Sequence, residues 1–136
     1  MARKQTKSTD VQKSIINLCL AAGALVERPN GGGGMLNGQY VQFNSWYYQT
    51  PKQRKKGQAD LKVFFPNCAP IAVEIKRDAR DRLRPEQEMY AAAWCGLGNH
   101  FVVATSVEEF VAYFDGRNIG LYRELSEVMR SGYGYQ

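Results

Sequence analysis

Asp60, Glu74 and Lys76 are the residues of this chain whose types and spacing best fit a chemical role. Glu74 and Lys76 stand two apart in the apolar run from Ile71 to Lys76, and side chains two apart on a strand share a face. Asp60 stands just before a second β-favouring run, Leu61 to Phe65, and the turn-rich segment Pro66 to Pro70 joins the two runs, so a hairpin is predicted. Closure at 66–70 puts residue 60 near residue 74 or 76 across the ladder, gathering two carboxylates and one ammonium. Carboxylates so placed repel, and one takes up a proton. A hard divalent cation between them removes the conflict, and a nearby lysine steadies charge developing on a phosphate, which is the chemistry of water attack on a phosphodiester. A cross-strand ion pair of Glu74 and Lys76 on an exposed face, with Asp60 as a turn residue, satisfies the same spacing, and spacing alone leaves both readings open.

The elements that must carry these residues follow from periodicity and punctuation. Val11, Ile15, Leu18, Cys19 and Ala22 recur at helical spacing after a Thr9/Gln12 capping box, predicting a helix over about 10–22 that Gly23 stops. A short strand is expected over 24–28, then an irregular glycine loop over 29–38, then one or two strands or an aromatic loop over 39–48. Lys52, Arg54, Lys55 and Lys56 fall in one polar, basic turn. After the hairpin, 77–84 alternates charge without apolar periodicity and reads as a loop, and Pro85 suits the first position of a helix whose Met89, Ala92, Ala93 and Gly96 share a face. Phe101 to Ala104 reads as a short buried strand, Ser106 with Glu109 as a capping box for a helix to about Phe114, and 120–130 as a last helix before a loose tail. The order predicts an α/β domain with a small mixed central sheet flanked by helices.

Gly57 and Asp60, then Glu74-Ile75-Lys76, then Leu83, Pro85 and Gln87 at a helix start, then Gly98, together resemble the PD-(D/E)XK nuclease superfamily and, more narrowly, its virus-type replication-repair nuclease (VRR-NUC) domain. The resemblance runs over roughly 8–114, with a C-terminal helix and tail over 117–136, and the whole of 1–136 is expected to be one such domain with a restriction-endonuclease-like core. It implies that Asp60 and Glu74 are metal ligands, that the Ile75 backbone carbonyl completes the protein's share of the shell, that Lys76 positions or polarises the attacking water, and that Gln87 braces the group. Mg²⁺ or Mn²⁺ is the implied ion. The family usually carries a Glu at the start of the first helix; that slot falls on Ser8, and the nearest acid, Asp10, is either a substitute ligand or a first-turn residue favoured by the helix dipole.

Composition bounds the partner. The 136 residues carry 18 Lys plus Arg against 13 Asp plus Glu, a net charge of +5, which suits a polyanion without naming one. The basic run Lys52, Arg54, Lys55 and Lys56 precedes Asp60, and Arg77, Arg80, Arg82 and Arg84 follow Lys76, although Asp78 and Asp81 offset two of those charges. Phosphate contacts there would position DNA. Tyr40, Phe43, Trp46, Tyr47 and Tyr48 would stack on splayed bases, or else belong to the core or a dimer interface. Three scattered cysteines without CxxC spacing argue against a disulfide framework or a thiolate zinc site and read as buried thiols, and the lone His100 has no Ser or Cys motif to serve. No apolar run reaches membrane-spanning length and the first ten residues lack a signal-peptide stretch, so a cytoplasmic location is expected, in a bacterial host if the chain is phage-encoded. The resemblance implies metal-dependent endonucleolytic cleavage of branched, Holliday-junction-like DNA by a homodimer, and no membrane association is expected. The alternatives are a non-catalytic nucleic-acid-binding module, a sequence-specific restriction-like enzyme, and an interaction protein that binds no nucleic acid.

Overall fold

Every residue of the strand Ile71–Ile75 is buried, which only a strand covered on both faces permits. In the computed structural model, which describes residues 7–29, 33–42 and 45–132, this strand lies inside a four-stranded sheet. The elements in chain order are α1 (Lys7–Ala21), β1 (Leu25–Glu27), β2 (Gly33–Leu36), β3 (Gln39–Gln42), β4 (Trp46–Tyr48), β5 (Thr50–Lys55), β6 (Leu61–Phe64), β7 (Ile71–Ile75), α2 (Pro85–Gly96), β8 (His100–Ala104), α3 (Val107–Ala112) and α4 (Ile119–Arg130). The sheet order is β1-β6-β7-β8, antiparallel up to β7 and parallel between β7 and β8, where α2 makes the crossover. This is the mixed α/β sheet expected from the order of elements.

Alternation along the strands separates two cores. Ile71, Val73 and Ile75, with Leu61, Val63, Val102 and Ala104, pack against Ile15, Leu18 and Cys19 of α1 and against Phe110, Phe114, Leu121 and Leu125 of the C-terminal helical segment. Each such Val, Leu, Ile or Phe side chain contributes about 1.5–3 kcal/mol by leaving water. On the opposite face Ala72 joins Ala59 and Tyr90, with Trp46, Trp94 and Phe101 packed around them. Glu74 and Lys76 continue the row begun by Ala72, beneath α2.

Several expectations are corrected. Helix α1 already runs at Lys7, so Thr9 lies inside it rather than capping it. The glycine segment is partly ordered: β2 and β3 pair as a hairpin around Asn37 and Gly38, whose φ values of 51° and 78° are those of the tight turn that Asn-Gly favours. Asn30, Gly31, Gly32, Phe43 and the tail 133–136 lie outside the described residues. Lys52, Arg54 and Lys55 of the basic run lie not in a turn but in strand β5, with Lys56 just past its end, and β5 pairs with β4 across a turn at Gln49; Pro51 is tolerated because this two-stranded ribbon consists of edges. Helix α2 buries Gln87 and Tyr90, whereas Met89, Ala92 and Gly96 are exposed, since the aromatic rings of Tyr90 and Trp94 outweigh the small residues in covering the sheet. Only Cys19 is a buried thiol; Cys68 is half-buried and Cys95 exposed. Ser106 does cap α3, its Oγ accepting from the Glu109 N–H at 3.1 Å, but α3 ends at Ala112, two residues short of Phe114.

Candidate metal centre

The β6–β7 ladder runs to the pair Leu61 and Val73, and one step beyond it Asp60 comes opposite Glu74. There the backbone ladder ends and a side chain takes over: the Ile75 N–H donates to Asp60 Oδ2 at 2.8 Å. This bond holds the Asp60 carboxylate against the end of β7. Gly57 makes the approach possible. Its φ is +91°, and a Cβ there would lie 2.9 Å from the backbone carbonyl atoms of Glu86, so only glycine lets the chain pass this close to the first turn of α2.

Gln87, at the third position of α2, reaches down from that turn to join the group. Its Oε1 accepts from Lys76 Nζ at 3.2 Å and from the Arg84 N–H at 2.9 Å, and its Nε2 donates to Glu74 Oε1 at 3.1 Å. The amide has one possible orientation, because an ammonium and a backbone N–H only donate and a carboxylate accepts. A single side chain thus closes the helix start, holds the ammonium and fixes the rotamer of the glutamate. Sequence reasoning reached Gln87 through the resemblance; its independent signal is a Gln at the third position after a proline-started helix, where it can satisfy the cap N–H.

The electrostatics of the group are unbalanced. Glu74 is 4% exposed and Lys76 7% exposed, and Glu74 Oε2 is buried with no hydrogen-bond partner among the described residues. Burial chiefly, then the nearby charge of Asp60, push the Glu74 carboxyl up to about 8, against the opposing pull of Lys76 and Arg84. Near neutrality the pair therefore holds a proton where a cation would serve. The donor set suits a hard divalent ion, since Mg²⁺ is commonly held by one or two carboxylates with water and substrate phosphate filling the other positions. Asp60 and Glu74 would hold it, with Ile75 at the same strand end.

Asp10 does not complete this set. It is exposed on the first turn of α1, and among the described residues no three His, Cys, Asp or Glu side chains converge. The basic residues divide into two kinds. Lys52 and Arg54 are exposed and Lys55 half-buried on the β4–β5 ribbon, with Lys56 exposed just past it; Arg54 Nε donates to Ser45 Oγ and Lys55 Nζ sits 4.9 Å over the Trp46 ring. Arg77, Arg80 and Arg84 pair with Asp81, Asp78 and Glu86 at 3.7, 4.0 and 3.5 Å, and Arg82 is exposed. Of the aromatic run, Trp46 packs edge-on against Tyr90 with centroids 5.3 Å apart, while Tyr40 and Tyr47 are exposed. His100 is a packing residue, with Nδ1 3.1 Å from the Tyr113 hydroxyl and a pKa lowered by burial and then by Arg117.

The four-stranded mixed sheet, the crossover helix bearing Gln87 and the carboxylate pair at the end of the central hairpin make up an α/β domain with a restriction-endonuclease-like core. Among solved structures, one described as a VRR_NUC domain is similar, with a TM-score of 0.57 and 22% sequence identity over 84% of this chain and 99% of that one. No family profile and no curated protein sequence matches the chain. The chain therefore has the VRR_NUC fold, as the sequence motifs imply.

Proposed function

We propose that the chain is a divalent-metal-dependent nuclease that hydrolyses phosphodiester bonds in branched DNA. The observation that carries the reading is the buried, partnerless Oε2 of Glu74 beside Asp60, a carboxylate pair whose donors suit a hard divalent cation. A bound Mg²⁺ or Mn²⁺ would neutralise the pair and supply Lewis-acid activation of water and phosphate. The protein's own groups do the rest. Lys76, buried and held by Gln87, presents fixed positive charge where negative charge develops on the phosphate, and a preorganised donor in a water-poor site is worth far more than one in solvent. Asp60 is held by the Ile75 N–H and Glu74 by Gln87, so neither carboxylate must reorganise when the cation arrives. The exposed cations of β5 and of 77–84 hold the DNA backbone, and base sequence plays no part in that contact. Met35 and Tyr40, directly opposite each other on the β2–β3 hairpin and 70% and 67% exposed, supply apolar surface for a second copy. No described helix is long and apolar enough to cross a membrane.

Incubation with a labelled four-way junction, a flap and a linear duplex in Mn²⁺, beside Glu74→Gln and Lys76→Ala, tests the reading. Cleavage by the parent chain, strongest on the branched substrates and lost in both variants, is expected. Equal products from the variants, or no cleavage of any DNA, refutes it.

A further inference from the structure

On the same face of the sheet as Glu74, a cavity of about 250 Å³ opens between β4, the segment before Asp60 and helix α2, walled by Trp46, Tyr48, Tyr90 and Trp94 with Gln58 and Lys62 at its polar edge. We propose that this cavity is a nucleobase subsite, which takes one unstacked base of the DNA strand whose backbone is cut; the inference rests on the nuclease reading and names how its substrate is gripped.

Size, chemistry and position support it. The volume falls below the ~300–1,000 Å³ of drug-sized sites and suits one aromatic ring system. The walls are preformed: Tyr90 lies 5.7 Å from Trp94 in a stacked arrangement and 5.3 Å from Trp46 edge-on, so a base adds to an existing aromatic stack. Trp46 is further fixed by its indole N–H, which donates to the Lys56 carbonyl at 2.8 Å. Lys62 Nζ stands 5.5 Å over the Trp94 ring, bringing positive charge to the rim where a sugar-phosphate would run. Tyr90 is 5% exposed, and its hydroxyl has no hydrogen-bond partner among the described residues.

The cavity also lies close to the candidate metal centre along the chain elements that build both. Gln58 precedes Asp60 by two residues, Tyr90 follows Gln87 by about one helical turn, and Ala72 at the floor of the aromatic cluster precedes Glu74 by one same-face step, about 7 Å along the strand. A base seated among Trp46, Tyr90 and Trp94 would therefore belong to a nucleotide next to the phosphate at Asp60 and Glu74. Branch points and single-stranded flaps supply such a base, whereas an intact duplex must first unstack one.

The test uses the full chain in EDTA, where no cutting occurs, with short oligothymidylate and an abasic oligomer of the same length as probes. Quenching of tryptophan emission by oligothymidylate alone is expected, with affinity about 5- to 150-fold above that for the abasic oligomer, as aromatic–base stacking gives. Trp94→Leu and the rim variant Tyr48→Leu should each remove most of that advantage while leaving binding of the abasic oligomer unchanged. Equal affinity and equal emission change for the two oligomers overturns the proposal, and this comparison needs no variant to fold. Junction cleavage in Mn²⁺, scored in parallel, separates the two claims: its absence refutes the nuclease reading while the EDTA titration still decides the subsite.

Discussion

Replacing Glu74 by glutamine keeps the shape of the side chain and removes the charge that the site does not neutralise. In the folded, metal-free protein the Glu74 carboxyl is pushed up to about 8 from an ordinary 4.5, by burial first and by Asp60 second. Between those two values the unfolded chain has released this proton and the folded chain retains it. Folding stability therefore falls as pH rises, by ~1.4 kcal/mol per pH unit at most. From about pH 5 to about pH 7 the group subtracts up to about 3 kcal/mol, a large share of a small domain's stability. Glu74→Gln has no such proton to lose, and its amide can donate to Asp60 in place of the shared proton. Urea denaturation in EDTA across this range measures the effect as a difference, which cancels the slopes of all other groups. The parent chain should lose up to about 3 kcal/mol relative to the variant, and saturating Mn²⁺ should restore about 2.7 kcal/mol to the parent at a hundredfold excess over Kd and nothing to the variant. Parallel pH profiles in EDTA, or equal stabilisation of both proteins by Mn²⁺, would refute the reasoning.

Gln87→Leu leaves Lys76 Nζ and Glu74 Oε1 without their amide, at about 1–3 kcal/mol for each buried group; kcat should fall while DNA affinity holds, as steady-state kinetics beside anisotropy titration will show. Gly57→Ala forces a side chain onto a backbone at φ +91° and against Glu86, costing at least about 1–3 kcal/mol and displacing Asp60, so thermal melting and cleavage should both suffer. Lys52→Ala with Lys56→Ala should weaken binding to all DNA sequences alike and lower the slope of log affinity against log salt by roughly 1–2, read by anisotropy over a salt series.

The sequence was most legible where the determining contacts are local. The β6–β7 hairpin closes over a short turn, so its register follows from chain geometry, and the period of two then places Glu74 and Lys76 on one face with Asp60 opposite Glu74. The spacing left residue 74 or 76 as the partner, and the observed register chooses 74. Gln87 as the brace of the group came from the resemblance, whereas periodicity alone could not supply its contacts with Glu74 and Lys76, which come from an element 11–13 residues earlier in the chain. Glycines hid β2, because Gly33 and Gly34 carry no side chain to show alternation, while the Asn37-Gly38 turn that organises it was present to be read. Strand β5 was hidden by charge: its Lys and Arg stems cover an exposed ribbon, and such residues carry no strand periodicity. The aromatic cavity was least legible, for Trp46 meets Tyr90 only after the intervening hairpins fold back across the sheet.

Anomalous diffraction from crystals grown in Mn²⁺ shows directly whether the carboxylate pair is a metal centre. The expected map has a Mn²⁺ peak between Asp60 and Glu74, next to the Ile75 carbonyl, and no peak there in Glu74→Gln. A parent protein that cuts DNA in Mn²⁺ yet shows no ion at this pair, or holds it elsewhere, would contradict the assignment.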